Sequence, residues 1–113
     1  MPLLVSPESG PTQIDILKNV TTTGAGASTE MIGGGRMTVE ANGITTSGAG
    51  TGVVAIEVSN NNLTWQTAGT ITLTLGTVQT SDGFVMDAPW LYVRGNVTSI
   101  SGTGAKVSVI IAA

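Results

Sequence analysis

Hydrophobic and polar residues alternate along short segments of this chain, and clusters of glycine separate the segments. The cleanest alternation covers residues 70–75, where Ile71, Leu73 and Leu75 are interleaved with three threonines. Successive side chains of a strand point to opposite faces, so a period of two predicts a strand with one buried face. No segment keeps the period of about 3.6 residues that an amphipathic helix needs. The pattern therefore predicts an all-β protein.

The other predicted strands cover residues 13–22, 36–41, 52–59, 63–67 and 90–98, with a final strand after residue 104. We predict turns or loops at residues 60–62 and 81–89, and a hairpin loop at 101–104. Seven to eight short strands with such spacing are typical of one antiparallel β-sandwich or jelly-roll-like domain, with a small barrel as the alternative. The residues predicted to face the core, besides those of 70–75, are Ile14, Ile16, Val20, Met37, Val39, Ala41, Val54, Ile56, Val58, Leu91, Val93, Val97, Val107, Val109 and Ile111.

Two glycine clusters, at residues 33–35 and 48–52, superficially resemble phosphate-binding loops. A phosphate loop needs a helix to present its N-terminus, and neither cluster is followed by one. We therefore predict that both clusters are flexible connections between strands.

The first twelve residues differ from the rest of the chain because they contain three of its four prolines. Pro2, Pro7 and Pro11 are incompatible with regular strand pairing, and Leu3, Leu4 and Val5 form a short apolar run. We predict an extended N-terminal arm over residues 1–12 and a β-sandwich domain over 13–113, with Leu3, Leu4 and Val5 as residues that bind a partner. The alternative is a loose terminus without a role.

Charge is sparse, since 10% of the residues are charged and the net charge is −3, against roughly 25% charged residues in an ordinary domain. No basic run is present, so we expect no nucleic-acid partner. No stretch approaches the length of about 18 apolar residues typical of a membrane helix, so we expect no membrane partner. The polar but uncharged surface lacks strong like-charge repulsion, which favours self-association.

The chain contains no histidine and no cysteine, two residue types on which many catalytic sites depend. Most nucleophile systems and transition-metal sites are therefore excluded. The carboxylates Asp82 and Asp87, and Glu40 and Glu57, are interpreted as turn or solvated strand residues. We expect no enzyme, no catalytic residue, no metal site and no cofactor.

The aromatic residues are the remaining candidates for a binding surface. Trp65, Trp90 and Tyr92 could stack on sugar rings or anchor a protein interface. The competing interpretation is that both tryptophans cap the ends of a sandwich core. Arg94 and Glu57 fall at outward positions, where they could pair across an interface.

Residues 52–113 resemble small structural proteins of tailed bacteriophages that decorate or cement the head. The resemblance rests on a strand ending in Ser59-Asn60, a turn and then Thr64-Trp65. It continues in the Pro89-Trp90-Leu91-Tyr92-Val93-Arg94 strand and the Ser101-Gly102-Thr103-Gly104 segment before an apolar last strand. The first half shows no such resemblance, and the Ser-Asn…Trp element is also similar to one in carbohydrate-binding sandwiches.

The phage resemblance implies a virion protein on the capsid surface that is made in the host cytoplasm. Its partners would be the major capsid protein and copies of itself, and trimers suit the quasi-threefold positions of a capsid. We therefore expect a non-enzymatic head decoration or cement protein acting as a homotrimer. The alternatives are a carbohydrate-binding module that uses Trp65, Trp90 or Tyr92, and a tail or neck component.

Overall fold

Two antiparallel β-sheets pack face to face in the computed structural model, which describes residues 13–30, 35–88 and 90–112. The alternating segments form most of the strands, because each can bury one face between the sheets. The strands of the described residues are β1 (Gln13–Val20), β2 (Gly24–Ala25), β3 (Thr29–Glu30), β4 (Gly35–Ile44), β5 (Ser47–Ser59), β6 (Gln66–Leu75), β7 (Thr80–Ala88), β8 (Tyr92–Thr103) and β9 (Lys106–Ala112).

Sheet 1 has the order β1-β9-β4-β7, and sheet 2 has the order β2-β8-β5-β6 with β3 also paired to β8. Because β2 and β3 pair with the same side of β8, they act as one interrupted edge strand. Counted so, consecutive strands alternate between the sheets except for the β5–β6 hairpin. This is the arrangement of an eight-stranded jelly roll, and the predicted all-β sandwich is confirmed.

The core lies between the sheets and consists of the inward side chains of β1 and β4–β9. Most residues predicted to face inward are buried, but Ile14 is 36% exposed and Leu17 is buried instead. The reason is that the β1–β9 register shifts between Asp15 and Leu17, which interrupts the alternation. Leu91 is also wrongly predicted, because it precedes β8 and is 51% exposed.

Several predicted boundaries are also wrong. Residues 80–88 form strand β7 rather than a loop, and the two strands predicted over 63–67 and 70–75 are the single strand β6 (Gln66–Leu75). Residues 101–104 do not close a hairpin, because β8 lies in sheet 2 and β9 in sheet 1. Residues 48–52 are part of the long strand β5, so they are not a flexible connection.

Inward-facing glycines make room for large side chains of the opposite sheet. Leu17 of β1 packs onto Gly26 and Gly95, where an added Cβ would lie 2.5 and 2.7 Å from the leucine methyl carbons. Leu75 fills the space over Gly43 in the same way, with 2.6 Å to a Cβ added there. Gly43 and Gly95 are therefore packing positions within strands, and Gly26 has the same role in the segment between β2 and β3.

Residues 1–12 lie outside the described residues. The extended arm, the division between 1–12 and 13–113, and the binding role of Leu3, Leu4 and Val5 therefore stay predictions. Strand β1 begins at Gln13, opposite Ala112 of β9. Residues 33 and 34 of the first glycine cluster also lie outside the described residues.

Candidate functional site

The loop between β5 and β6, residues 60–65, is held by two side chains. The buried Ser59 hydroxyl accepts the backbone N–H groups of Asn61 and Asn62 at 3.2 and 3.0 Å and donates to Asn61 Oδ1 at 3.0 Å. Asn61 Oδ1 in turn accepts the N–H groups of Leu63 and Thr64 at 2.9 and 2.8 Å. Short Ser and Asn side chains commonly replace backbone partners in this way. The side chains of Ser59 and Asn61 therefore fix the conformation of the loop, which places Trp65 immediately before β6.

Trp65 lies on the outer face of sheet 2, in a group that we call the Trp65 cluster: Glu57, Trp65, Arg94 and Asn96. The Arg94 guanidinium carbon lies 4.2 Å from the centroid of the Trp65 ring. Arg94 Nε is 2.6 Å from Glu57 Oε1, and Asn96 Nδ2 donates to Glu57 Oε2 at 3.2 Å. Both carboxylate oxygens therefore have a donor, and the flat guanidinium has an aromatic partner.

The strand register explains why these residues meet. Glu57 of β5 is directly opposite Arg94 of β8, and the neighbouring Ala55 is opposite Asn96. Arg94 and Asn96 are two residues apart, so they share a face. Arg94 and Glu57, whose outward positions also suit pairing across an interface, form an ion pair within one chain. Only the register between two distant segments could have shown this.

The Trp65 cluster has the chemistry of a binding surface. The side chains of Glu57 and Arg94 are 14% and 26% exposed, so the ion pair is largely shielded from water. The half-buried ring, amide and guanidinium offer stacking and directional hydrogen bonds to a ligand that approaches sheet 2.

The three aromatic residues singled out from the sequence do not form one surface. Tyr92 is half-buried on the outer face of sheet 2, in line with Arg94 and Asn96 along β8. Trp90 is half-buried and packs against the core. Trp65 and Tyr92 thus share a face, and Trp90 has the core-capping position that was the alternative interpretation. The binding role of all three stays a prediction.

Trp90 also lines an open cavity of about 290 Å³ between the edges of β6 and β7, together with Gln66, Ala68, Phe84 and Val85. Among the described residues that line this cavity, none has a titratable side chain.

The carboxylates Glu40 and Glu57, interpreted from the sequence as solvated strand residues, are far apart. Glu40 is on the outer face of sheet 1 and Glu57 on that of sheet 2, so both sheets separate them. Asp82 Oδ1 accepts the N–H of Gly83 at 2.8 Å, which is a local structural role; the Asp87 side chain lies outside the described residues. Within those residues no group of three metal-ligating side chains occurs, and no helix has the length and hydropathy of a membrane span.

Solved structures of other proteins share this fold. The SPBc2 prophage-derived protein YomS matches with a TM-score of 0.62 and 13% identity, over 91% of this chain and 93% of YomS. The PBSX exported protein XepA matches with a TM-score of 0.54 and 14% identity, over 96% of this chain but 38% of XepA. A CBM4 structure matches with a TM-score of 0.48 and 13% identity, over 90% of this chain and 66% of that one.

By their names, YomS is a prophage-derived protein and XepA is an exported protein of PBSX. At 13% and 14% identity the similarity shows a common fold and no more. No protein-family model matches the sequence, and no curated protein matches it either.

Proposed function

We propose that this protein is a structural component of a phage particle, and specifically a head decoration or cement protein without enzymatic activity. The observation that carries the proposal is the fold shared with YomS, a prophage-derived protein of which nearly the whole length is matched. The sequence resemblance of residues 52–113 to head decoration proteins points the same way. A tail or neck component has the same fold requirements and differs in the particle part that it binds.

The physical requirements of such a role are modest for each copy. A rigid sandwich that bridges a seam between capsomers adds buried area across that seam, and many copies act together. A chain rich in Thr, Ser and Asn, in which 10% of all residues are charged, is suited to close packing against other subunits, because few charges must be desolvated. Both features favour an assembly protein over a freely diffusing one.

The arm over residues 1–12 is proposed to anchor the protein on the capsid through Leu3, Leu4 and Val5. In the variant L3S/L4S/V5S, we expect at least a tenfold loss of affinity for purified phage heads, because three apolar contacts are lost. Co-sedimentation with heads measures this. The matched control is Val78→Ser, which removes a strongly exposed apolar side chain from the β6–β7 connection and should bind as the unaltered chain does. Equal binding by the triple variant would contradict the anchoring role.

A second candidate function is glycan binding by the outer face of sheet 2. The favouring observation is that Trp65 and Tyr92 share this face with Arg94, Asn96 and Glu57, which combines ring surfaces with hydrogen-bonding groups. If the face binds glycans, Trp65→Ala should abolish binding to an immobilised oligosaccharide panel, whereas Trp65→Phe, which keeps a ring, should retain part of it. An unaltered chain that binds no member of the panel would contradict this function.

A further inference from the structure

Strand β6 is an edge strand with one side unpaired. It pairs with β5 along Gln66–Leu75, and no other strand in the described part of the chain pairs with it. At its end the Thr80 hydroxyl donates to the Thr74 carbonyl at 3.2 Å. Because Thr80 belongs to β7, this carbonyl points away from β5. The side to which a residue's N–H and C=O groups point alternates along a strand. The backbone groups of Thr70 and Thr72 therefore point to the same open side as the Thr74 carbonyl.

The other long edge strands carry charges, and β6 does not. Asp15 and Lys18 lie in β1, Asp82 lies in β7, and the interrupted edge strand of sheet 2 includes Glu30. Charged residues on edge strands prevent pairing with other chains. Residues 66–75 contain no charge and no proline, and threonines alternate there with Ile71, Leu73 and Leu75. This is the composition of a strand that accepts another strand.

The occupant that suits this edge is the same strand of a second copy. Two-fold pairing places the residues of β6 near the axis close to their own copies in the partner, so a charge there would meet the same charge. The absence of charge removes that repulsion at β6, whereas the β1 and β7 edges retain it. Exposed threonines opposite one another on adjacent strands also form favourable pairs.

We propose that two copies of this chain pair antiparallel through β6, with Thr70 opposite Thr72 of the partner subunit and the two-fold axis beside Ile71. In this register the N–H and C=O groups of Thr70 and Thr72 exchange four hydrogen bonds across the axis. A register centred on Thr72 would need the Thr74 carbonyl, which already accepts from Thr80. The pairing joins two copies of sheet 2 into one continuous sheet.

This pairing goes beyond the proposed function, because it requires no phage particle. A two-fold contact gives a dimer in solution, whereas the trimer expected from the sequence needs a head-to-tail interface. The two are therefore distinguished by the mass of the free protein.

Light scattering of the unaltered chain should give twice the 11.3 kDa mass of one chain. In T70K/T72K, lysines meet lysines across the axis, and the mass should fall to that of one chain with an unchanged circular dichroism spectrum. The matched control T23K/T98K adds the same two charges at exposed positions outside β6 and should stay dimeric. A monomeric or trimeric unaltered chain, or a dimeric T70K/T72K, would overturn the pairing.

The register has its own test, because the chain contains no cysteine. Directly opposite residues of a hydrogen-bonded antiparallel pair have Cα atoms about 5.5 Å apart, within the range of a disulfide. Mixed Thr70→Cys and Thr72→Cys chains should therefore form a covalent dimer on mild oxidation, and each variant alone should form far less. Equal cross-linking by Thr72→Cys alone would overturn the proposed register, and no cross-linking in the mixture would overturn the pairing.

Discussion

Replacing Leu17 by alanine is expected to lower the free energy of unfolding by about 2–5 kcal/mol, as for other buried leucines. Leu17 comes from sheet 1 and reaches the backbone of sheet 2 at Gly26 and Gly95. Neither glycine has a side chain that could fill the space left by Leu17, so a cavity would remain. Urea denaturation followed by circular dichroism measures the change. The control Ile14→Ala, in the same strand but partly exposed, should cost less than about 1 kcal/mol.

The contact between Leu17 and Gly95 should appear as coupling between two substitutions. Gly95→Ala alone places a Cβ 2.7 Å from Leu17 Cδ1 and should cost about 1–3 kcal/mol. In the double variant L17A/G95A, the shortened side chain at position 17 leaves room for the new Cβ. The loss of unfolding free energy should therefore be smaller than the sum of the two single losses by at least about 0.5 kcal/mol. Strict additivity would contradict the packing of Leu17 onto this glycine.

Gly50→Ala is the second substitution with a large expected effect, about 3 kcal/mol, at the upper end of the range for overpacking. A Cβ at Gly50 would clash with the Ser101 carbonyl oxygen and would lie 3.1 Å from the Gly102 Cα. Both are backbone atoms of β8, so neither can rotate away as a side chain would. The expected loss of stability therefore follows from the close approach of β5 and β8.

Gly76→Ala is the matched control, because an added Cβ meets nothing within 4 Å there and the backbone is not left-handed. It should change the unfolding free energy by no more than about 0.5 kcal/mol. If Gly50→Ala were equally neutral, the segment around Gly50 would behave as the flexible connection predicted from composition, rather than as part of strand β5.

The fold class could be predicted because alternation is a local signal. A few alternating residues are enough to predict a buried face, as in Ile71, Leu73 and Leu75 or in Met37, Val39 and Ala41. Strand pairing is not local. The sequence predicts a hairpin loop at 101–104 because Gly102 and Gly104 suit a turn, yet β8 and β9 lie in different sheets. A turn residue indicates where the chain bends, but it does not determine which sheet the next strand joins.

The candidate site was only partly predictable for the same reason. Trp65 and Tyr92 could be named as candidates from their residue type, and Ser59 with its asparagines indicated a turn. The meeting of Glu57 with Arg94 depends on pairing between strands 37 residues apart. Periodicity gave their outward orientation correctly, but the partner of each charge follows from the β5–β8 register alone.

Binding of the purified full chain to phage heads and to tails, separated from each other and stripped of minor proteins, is the measurement to make first. Saturable co-sedimentation with heads, at a fixed number of copies per head, is expected of a decoration protein. Saturation on tails alone would make the chain a tail component. A chain that saturates neither particle would contradict a structural role in the virion, and glycan binding by Trp65 and Tyr92 would then be the function to test.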